Sequence, residues 1–105
     1  MSLAFDFHPE AQAEFAADVD WYDDREVGAG GRLVEAVRAA IDAAVDDPDA
    51  WAVWPGWDGE PTVRSKSVAR FPYRIVYFVE ANTLTIVAVA HAKRRPGYWR
   101  DRMGG

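Results

Sequence analysis

The sequence predicts an α+β fold: an N-terminal short strand, then an antiparallel α-helical hairpin packed on a small, mainly antiparallel β-sheet, in the order β-α-α-β-β-β. Three observations predict it. Apolar residues recur at helical spacing through the first half of the chain. A short glycine-bearing break divides that half, and so short a connection makes the two helices antiparallel neighbours. The second half is rich in Val, Ile, Tyr and Phe, arranged as two adjacent runs joined by a tight turn, the pattern of paired strands.

Leu3–Phe7 alternates and reads as a strand. His8-Pro9-Glu10 opens a helix, because proline suits the first helical position and Glu10 suits the positive helix start. Ala11, Phe15, Val19 and Tyr22 form its buried stripe, with Asp18 at the margin. Trp21 stands off the stripe, either against a loop or awaiting a partner. The glycines between Asp23 and Gly31 end this helix. Leu33, Val34, Val37, Ile41, Ala44 and Val45 make the stripe of the second, which stops at Asp46-Asp47-Pro48.

Asp49–Pro61 is a loop bearing Trp51, Trp54 and Trp57. An exposed tryptophan cluster is costly, so the loop is expected to seal the edge of the core, with partner binding as the alternative. Thr62–Val68 reads as a strand with Arg64 and Lys66 on one side. Phe71-Pro72 leads into the hairpin Tyr73–Glu80 and Thr83–Ala92, turning at Ala81-Asn82. With an uninterrupted register, Glu80 lies opposite Thr83, Phe78 opposite Thr85, Val76 opposite Val87 and Arg74 opposite Val89. Tyr73, Ile75, Tyr77, Val79, Leu84, Ile86, Ala88 and Ala90 then share the core face. Arg74, Thr85, His91 and Lys93 join Val76, Phe78, Val87 and Val89 on the other. A slip of one residue would exchange the two sets.

A single domain over residues 1–105 is expected at this length. Half of the residues are hydrophobic, which predicts a folded globule. The absence of cysteine excludes disulfides, Cys–zinc sites and thiol catalysis. No apolar run approaches the roughly 18 residues that span a bilayer, and no signal peptide is visible, so a cytoplasmic location without membrane association is expected. The net charge of −5 conceals an asymmetry: residues 1–60 carry three basic and fifteen acidic residues, a balance of −12, and residues 61–105 carry nine basic and two acidic, a balance of +7. The basic half suits an acidic macromolecular partner, or else it simply balances the acidic helices.

No metal or cofactor is expected. His8 and His91 lie on different elements without carboxylates at ligand spacing. Gly28-Ala29-Gly30-Gly31 lacks the Lys and Ser/Thr of a phosphate loop, and no nucleophile elbow supports a serine triad. The remaining constellation is cationic: Arg64, Lys66, Arg74, Lys93, Arg94, Arg95 and Arg100, gathered at one sheet end with Tyr98 and Trp99. Guanidinium groups grip phosphate or carboxylate oxygens and aromatic rings stack on bases, so the set suits nucleic acid or an acidic protein segment. Ordinary solvated charge is the bland alternative.

The opening FHPEAQAEFAADVDWYDDREVGAG, the strand RFPYRIVY and the closing VAVAHAKRRPGYWRDR together resemble the RelE/ParE superfamily of type II toxin–antitoxin toxins, most closely its ParE-like, plasmid-stabilisation branch. The resemblance covers nearly the whole chain and implies a toxin without a catalytic centre that inhibits DNA gyrase. It also implies a hetero-oligomer with a cognate ParD-like antitoxin, a small DNA-binding protein whose disordered C-terminal segment folds on binding. On this reading Arg74, His91, Lys93, Arg94, Arg95, Tyr98, Trp99 and Arg100 meet the target, and Trp21, Trp51, Trp54 and Trp57 meet the antitoxin. The alternative branch, RelE-like, implies a metal-independent, ribosome-dependent mRNA endoribonuclease in which Arg64, Lys66, Arg74, Lys93 and Tyr98 would be catalytic. Arg64 is too basic to accept a proton near neutral pH, so the gyrase inhibitor is the favoured reading. A third reading is a non-toxic, antitoxin-binding regulatory module, suggested by the acidic helical half.

Overall fold

The computed structural model describes residues 3–103. β1 (Ala4–Phe7), α1 (Pro9–Arg25), α2 (Ala29–Asp46), β2 (Val63–Ser67), β3 (Tyr73–Glu80) and β4 (Thr83–His91) follow in the predicted order, and a turn of 3-10 helix, Arg100–Arg102, lies near the end of the chain. One sheet runs β1-β4-β3-β2, antiparallel except where β1 lies parallel to β4. The helical hairpin covers one side of it. No helix among the described residues is long and apolar enough to cross a membrane.

α1 starts as its sequence dictates. Pro9 occupies the first turn, and the Nδ1 of the capping His8 accepts the Glu10 N–H at 3.1 Å. Ala11 is buried, and Phe15, Val19 and Tyr22 pack against the core. The break after α1 is shorter than the glycines suggest. Gly28, at φ 87°, carries the reversal, while Gly30 and Gly31 already belong to α2. Gly30 is there for close approach: a β-carbon would lie 2.6 Å from the Val19 carbonyl oxygen and from the Asp23 carboxylate, whose Oδ1 accepts the Gly30 N–H at 2.8 Å. The buried stripe of α2 is Leu33, Val37, Ala40, Ile41 and Ala44. Val34, expected inside, is 40% exposed, because it stands about 100° around the helix from Leu33.

In the sheet, Ala81 and Asn82 take φ of 52° and 62°, the left-handed pair that a two-residue hairpin turn needs. Glu80 pairs with Thr83 and Phe78 with Thr85, as expected. The register then shifts. Tyr77 pairs with Ile86 but Val76 with Ala88, so Val87 is an extra residue, a β-bulge in β4. Beyond it Arg74 lies opposite Ala90 rather than Val89, and Tyr73 lies opposite His91. Val89 and His91 therefore turn toward the helices, and Ala88 and Ala90, expected in the main core, turn away.

The sheet consequently has a buried cluster on each face. On the helical side Leu33, Val37, Ile41, Tyr73, Ile75, Tyr77, Leu84, Ile86 and Val89 close the main core. The far side, expected to be open and half-polar, buries Val63, Val76, Val87, Ala88 and Trp99, with Trp54, Trp57, Phe78 and Tyr98 packed against them. Trp54 stands edge-on to Trp99 at 5.1 Å between centroids, and Trp57 lies at 5.9 Å. Trp51 goes to the other side, where its Nε1 donates to the Ala43 carbonyl at 3.3 Å. The tryptophan loop thus seals both faces. It also closes the β2 edge, since Trp54 N–H donates to the Val63 carbonyl at 2.8 Å and Ser65 N–H to Ala52 at 3.0 Å.

Candidate functional site

At the end of the sheet where β3 begins and β4 finishes lies a cleft of about 360 Å³, bounded by those strand ends, the Phe71-Pro72 turn, Trp54 and the C-terminal tail, and reached by residues of both sheet faces. Its walls are apolar, with Val68, Phe71, Pro72, Ala90, Pro96 and Trp99. Among the described residues, the charged side chains that line it are those of Arg74, Arg94 and Arg95, all exposed, and no carboxylate does. Arg74 is set by its strand position opposite Ala90, away from the helices, and by Ser65: its Nε donates to the Ser65 hydroxyl at 2.9 Å and its Nη2 to the Ser65 carbonyl at 3.4 Å.

Glu14 of α1 holds the tail in place. Its carboxylate accepts from the Tyr98 hydroxyl at 3.2 Å and from the Arg102 guanidinium, and lies 3.6 Å from that of Arg94. Arg102, with its side chain only 6% exposed, also donates to the carbonyl of the bulge residue Val87 at 2.7 Å. The Tyr98 ring has Arg94 above it at 4.0 Å and Arg102 at 5.3 Å. Burial, and then the neighbouring Glu14 charge, push the Tyr98 phenol up to about 12, so it is protonated at neutral pH and cannot serve as a base. Trp99 is fully buried, and its indole N–H finds no acceptor among the described residues, a cost of about 1–3 kcal/mol.

Of the residues expected to meet a target, Arg74, His91, Arg94, Arg95, Tyr98 and Trp99 line this one cleft. Three expectations need correction. Lys93 does not line the cleft beside Arg74, because the bulge turns that end of β4 over, and it lines an adjoining depression with Glu14 and Asp18 that shares Tyr73, His91, Arg94 and Tyr98 with the cleft. Arg100 lies over the Trp57 ring at 5.5 Å. Trp99 is a core residue, not a surface platform. In the Lys93 depression burial raises the Asp18 carboxyl above its usual range, partly opposed by its hydrogen bond with Tyr73, and burial likewise raises the Tyr73 phenol.

Of the residues of the ribonuclease alternative, Arg74 and Lys93 line adjoining depressions that both include Tyr98, while Arg64 and Lys66 lie apart from them. Arg64 and Lys66 pair with Tyr77 and Ile75 and so share the helical face of the sheet. The Arg64 guanidinium donates to the Trp51 carbonyl at 2.8 Å, and the Lys66 ammonium sits 4.5 Å from the Trp51 ring centroid. Arg74 is on the opposite face, and Lys93 lies outside the cleft that Arg74 lines.

The tryptophans expected to meet an antitoxin are unequally exposed. Trp51, Trp54 and Trp57 are largely consumed in packing, while Trp21 is 49% exposed under the Arg25 guanidinium at 3.6 Å. Sequence reasoning missed a groove between β1 and the helical hairpin, lined by Phe5, Phe7, Phe15, Val34, Val37 and Ile41, in which Phe5 is 47% exposed. Its signal was present: Phe5 and Phe7 on a short strand, and Val34 at the rim of the α2 stripe. Glu14 and Ser65 were missed as well, being single polar residues in unremarkable contexts.

A helical hairpin on this mixed sheet has a counterpart among solved structures. A chain described as "Chromosomal ParDE TA system from P. aeruginosa" matches with a TM-score of 0.69 at 16% identity, over 86% of this chain and 96% of that one. At that identity the likeness establishes the fold, which is that of a chain from a toxin–antitoxin system. The family follows from the sequence: the model described as "ParE toxin of type II toxin-antitoxin system, parDE" matches residues 5–96, and the chain belongs to the ParE toxin family. No curated protein matches at a significant level.

Proposed function

We propose that this ParE-family chain is a single-domain cytoplasmic toxin that inhibits DNA gyrase through its basic C-terminal face and is neutralised by a ParD-like antitoxin. The observation that supports a non-catalytic toxin is the separation of Arg64 and Lys66, held at Trp51 on the helical face, from Arg74 and Tyr98, so that the five residues do not surround a common point as base, acid and phosphate clamp. Target contact is assigned to the exposed cations Arg74, Arg94, Arg95 and Arg100, with His91 and Tyr98 behind them. Antitoxin capture is assigned to the apolar groove of Phe5, Phe7, Phe15 and Val34, beside the unpaired outer edge of β1, with Trp21 as an outlying contact. An extended or helical segment that orders on binding suits such a groove.

Purified protein is expected to inhibit supercoiling and to increase cleaved DNA in a gyrase reaction, and to leave mRNA intact on ribosomes. Ribosome-dependent cleavage would replace this reading with the ribonuclease. Inactivity in both assays, with antitoxin binding retained, would replace it with the regulatory module.

A further inference from the structure

We propose that the cleft beneath the C-terminal tail receives one large apolar or aromatic side chain carried on an acidic peptide segment of a protein partner. The proposal rests on the reading of this face as target-binding for its location, and adds the chemistry of the occupant.

Three features of the cleft select that chemistry. Its volume, about 360 Å³, lies at the lower end of the range of roughly 300–1,000 Å³ typical of ligand pockets, enough for a single anchor. Its walls are apolar and partly preformed, since Val68 and Trp99 are buried in the fold already. Among the described residues its charged side chains are cations alone, and Arg95 makes no ion pair. Carboxylates flanking an inserted side chain would meet Arg74, Arg94 and Arg95, where guanidinium groups bind them bidentately. Arg94 is only loosely held by Glu14, at 3.6 Å, and is half exposed, so an incoming carboxylate can share it.

A nucleic-acid strand fits less well. It needs a continuous run of phosphate contacts and open aromatic platforms for its bases. Here Trp99 is sealed, and the Tyr98 ring is already occupied by Arg94 and Arg102. The cleft is a socket rather than a track.

The test uses the full chain labelled with ¹⁵N and a capped pentapeptide in which one phenylalanine is flanked on each side by two aspartates. The expected result is a saturable shift of the Trp54 and Trp99 indole N–H signals while the Trp21 signal stays fixed. Replacing the peptide's phenylalanine by alanine, or Arg95→Gln in the protein, should each weaken binding about tenfold. Any of three results would overturn the proposal: no saturable shift, a hexauridylate strand that binds the same residues more tightly, or concentration-dependent shifts without peptide, which would assign the cleft to a second copy of the chain. Gyrase inhibition is measured on the same preparations. Inhibition without peptide binding would sink the socket alone, and peptide binding without inhibition would sink the gyrase target and keep the socket.

Discussion

Arg102, in the last turn of the chain, forms a nearly buried ion pair with Glu14 in the second turn of α1, a sequence separation of 88 residues. The same guanidinium caps the carbonyl of Val87, so one side chain fastens the tail to a helix and to the irregular point of β4. Glu14→Ala would leave Arg102 buried without its counter-charge. The expected cost is about 2–3 kcal/mol, below the roughly 3–5 kcal/mol of a fully buried pair because Glu14 keeps some solvent. Urea unfolding measures it, and Glu14→Gln, which still accepts from Tyr98, should lose less.

Removing Lys93–Arg102 is the obvious way to ask whether the tail carries toxicity, but it also removes Trp99 from the far-side core. Trp99→Ala alone should cost about 3–5 kcal/mol. Charge reversal at the exposed Arg95 and Arg100 is the cleaner experiment. Thermal stability should stay within about 0.5 kcal/mol of the parent. Gyrase inhibition should fall by about tenfold or more if these cations meet the target.

The two glycines that open α2 should respond oppositely to alanine. Gly31 has open space around it, so Gly31→Ala gains helix propensity, up to about 1 kcal/mol. Gly30→Ala would press its methyl against the Val19 carbonyl and the Asp23 carboxylate, and should destabilise by about 1–3 kcal/mol despite the same propensity gain. Paired thermal melts decide the matter.

Titration has a defined sign at each end of the pH scale. Asp18 has its carboxyl raised from 3.8, mainly by burial, so the folded state holds that proton longer than the unfolded chain. Its stabilising share is complete below pH 3.8 and is lost as pH rises through the raised value. Asp18→Asn should therefore be more favourable relative to the parent at pH 7 than at pH 3. Tyr77 and Tyr98 are raised from 10.0 to about 12, so their share persists below pH 10 and disappears between 10 and 12. Phenolate absorbance should show late-titrating tyrosines, one fewer in Tyr98→Phe.

The helices, the turn at Ala81-Asn82 and the element order were legible because each rests on local chemistry: a capping residue, a 3.6-residue period, left-handed backbone at two adjacent positions. The bulge was not. In the run Ile86–Ala90 every side chain is apolar, so nothing polar marks which residue faces out, and an extra residue leaves no trace in the pattern. The places of Ala90 and His91 in the cleft were hidden for the same reason, since the faces they take depend on that register. The fate of Trp99 was hidden by the basic residues around it. The chain's five tryptophans were the available hint, being more large aromatic surface than a single sheet face readily covers.

Val87 divides β4 into two half-strands whose inward and outward positions are out of phase by one residue. A variant that kept Val87 but paired it in a regular ladder could retain every secondary-structure element and the same composition, yet would turn its histidine outward and its last valine away from the helices, whereas deleting Val87 would leave both where they are. Comparisons across relatives by aligned sequence alone will therefore equate side chains that point to opposite sides wherever a strand of the same length pairs without the bulge.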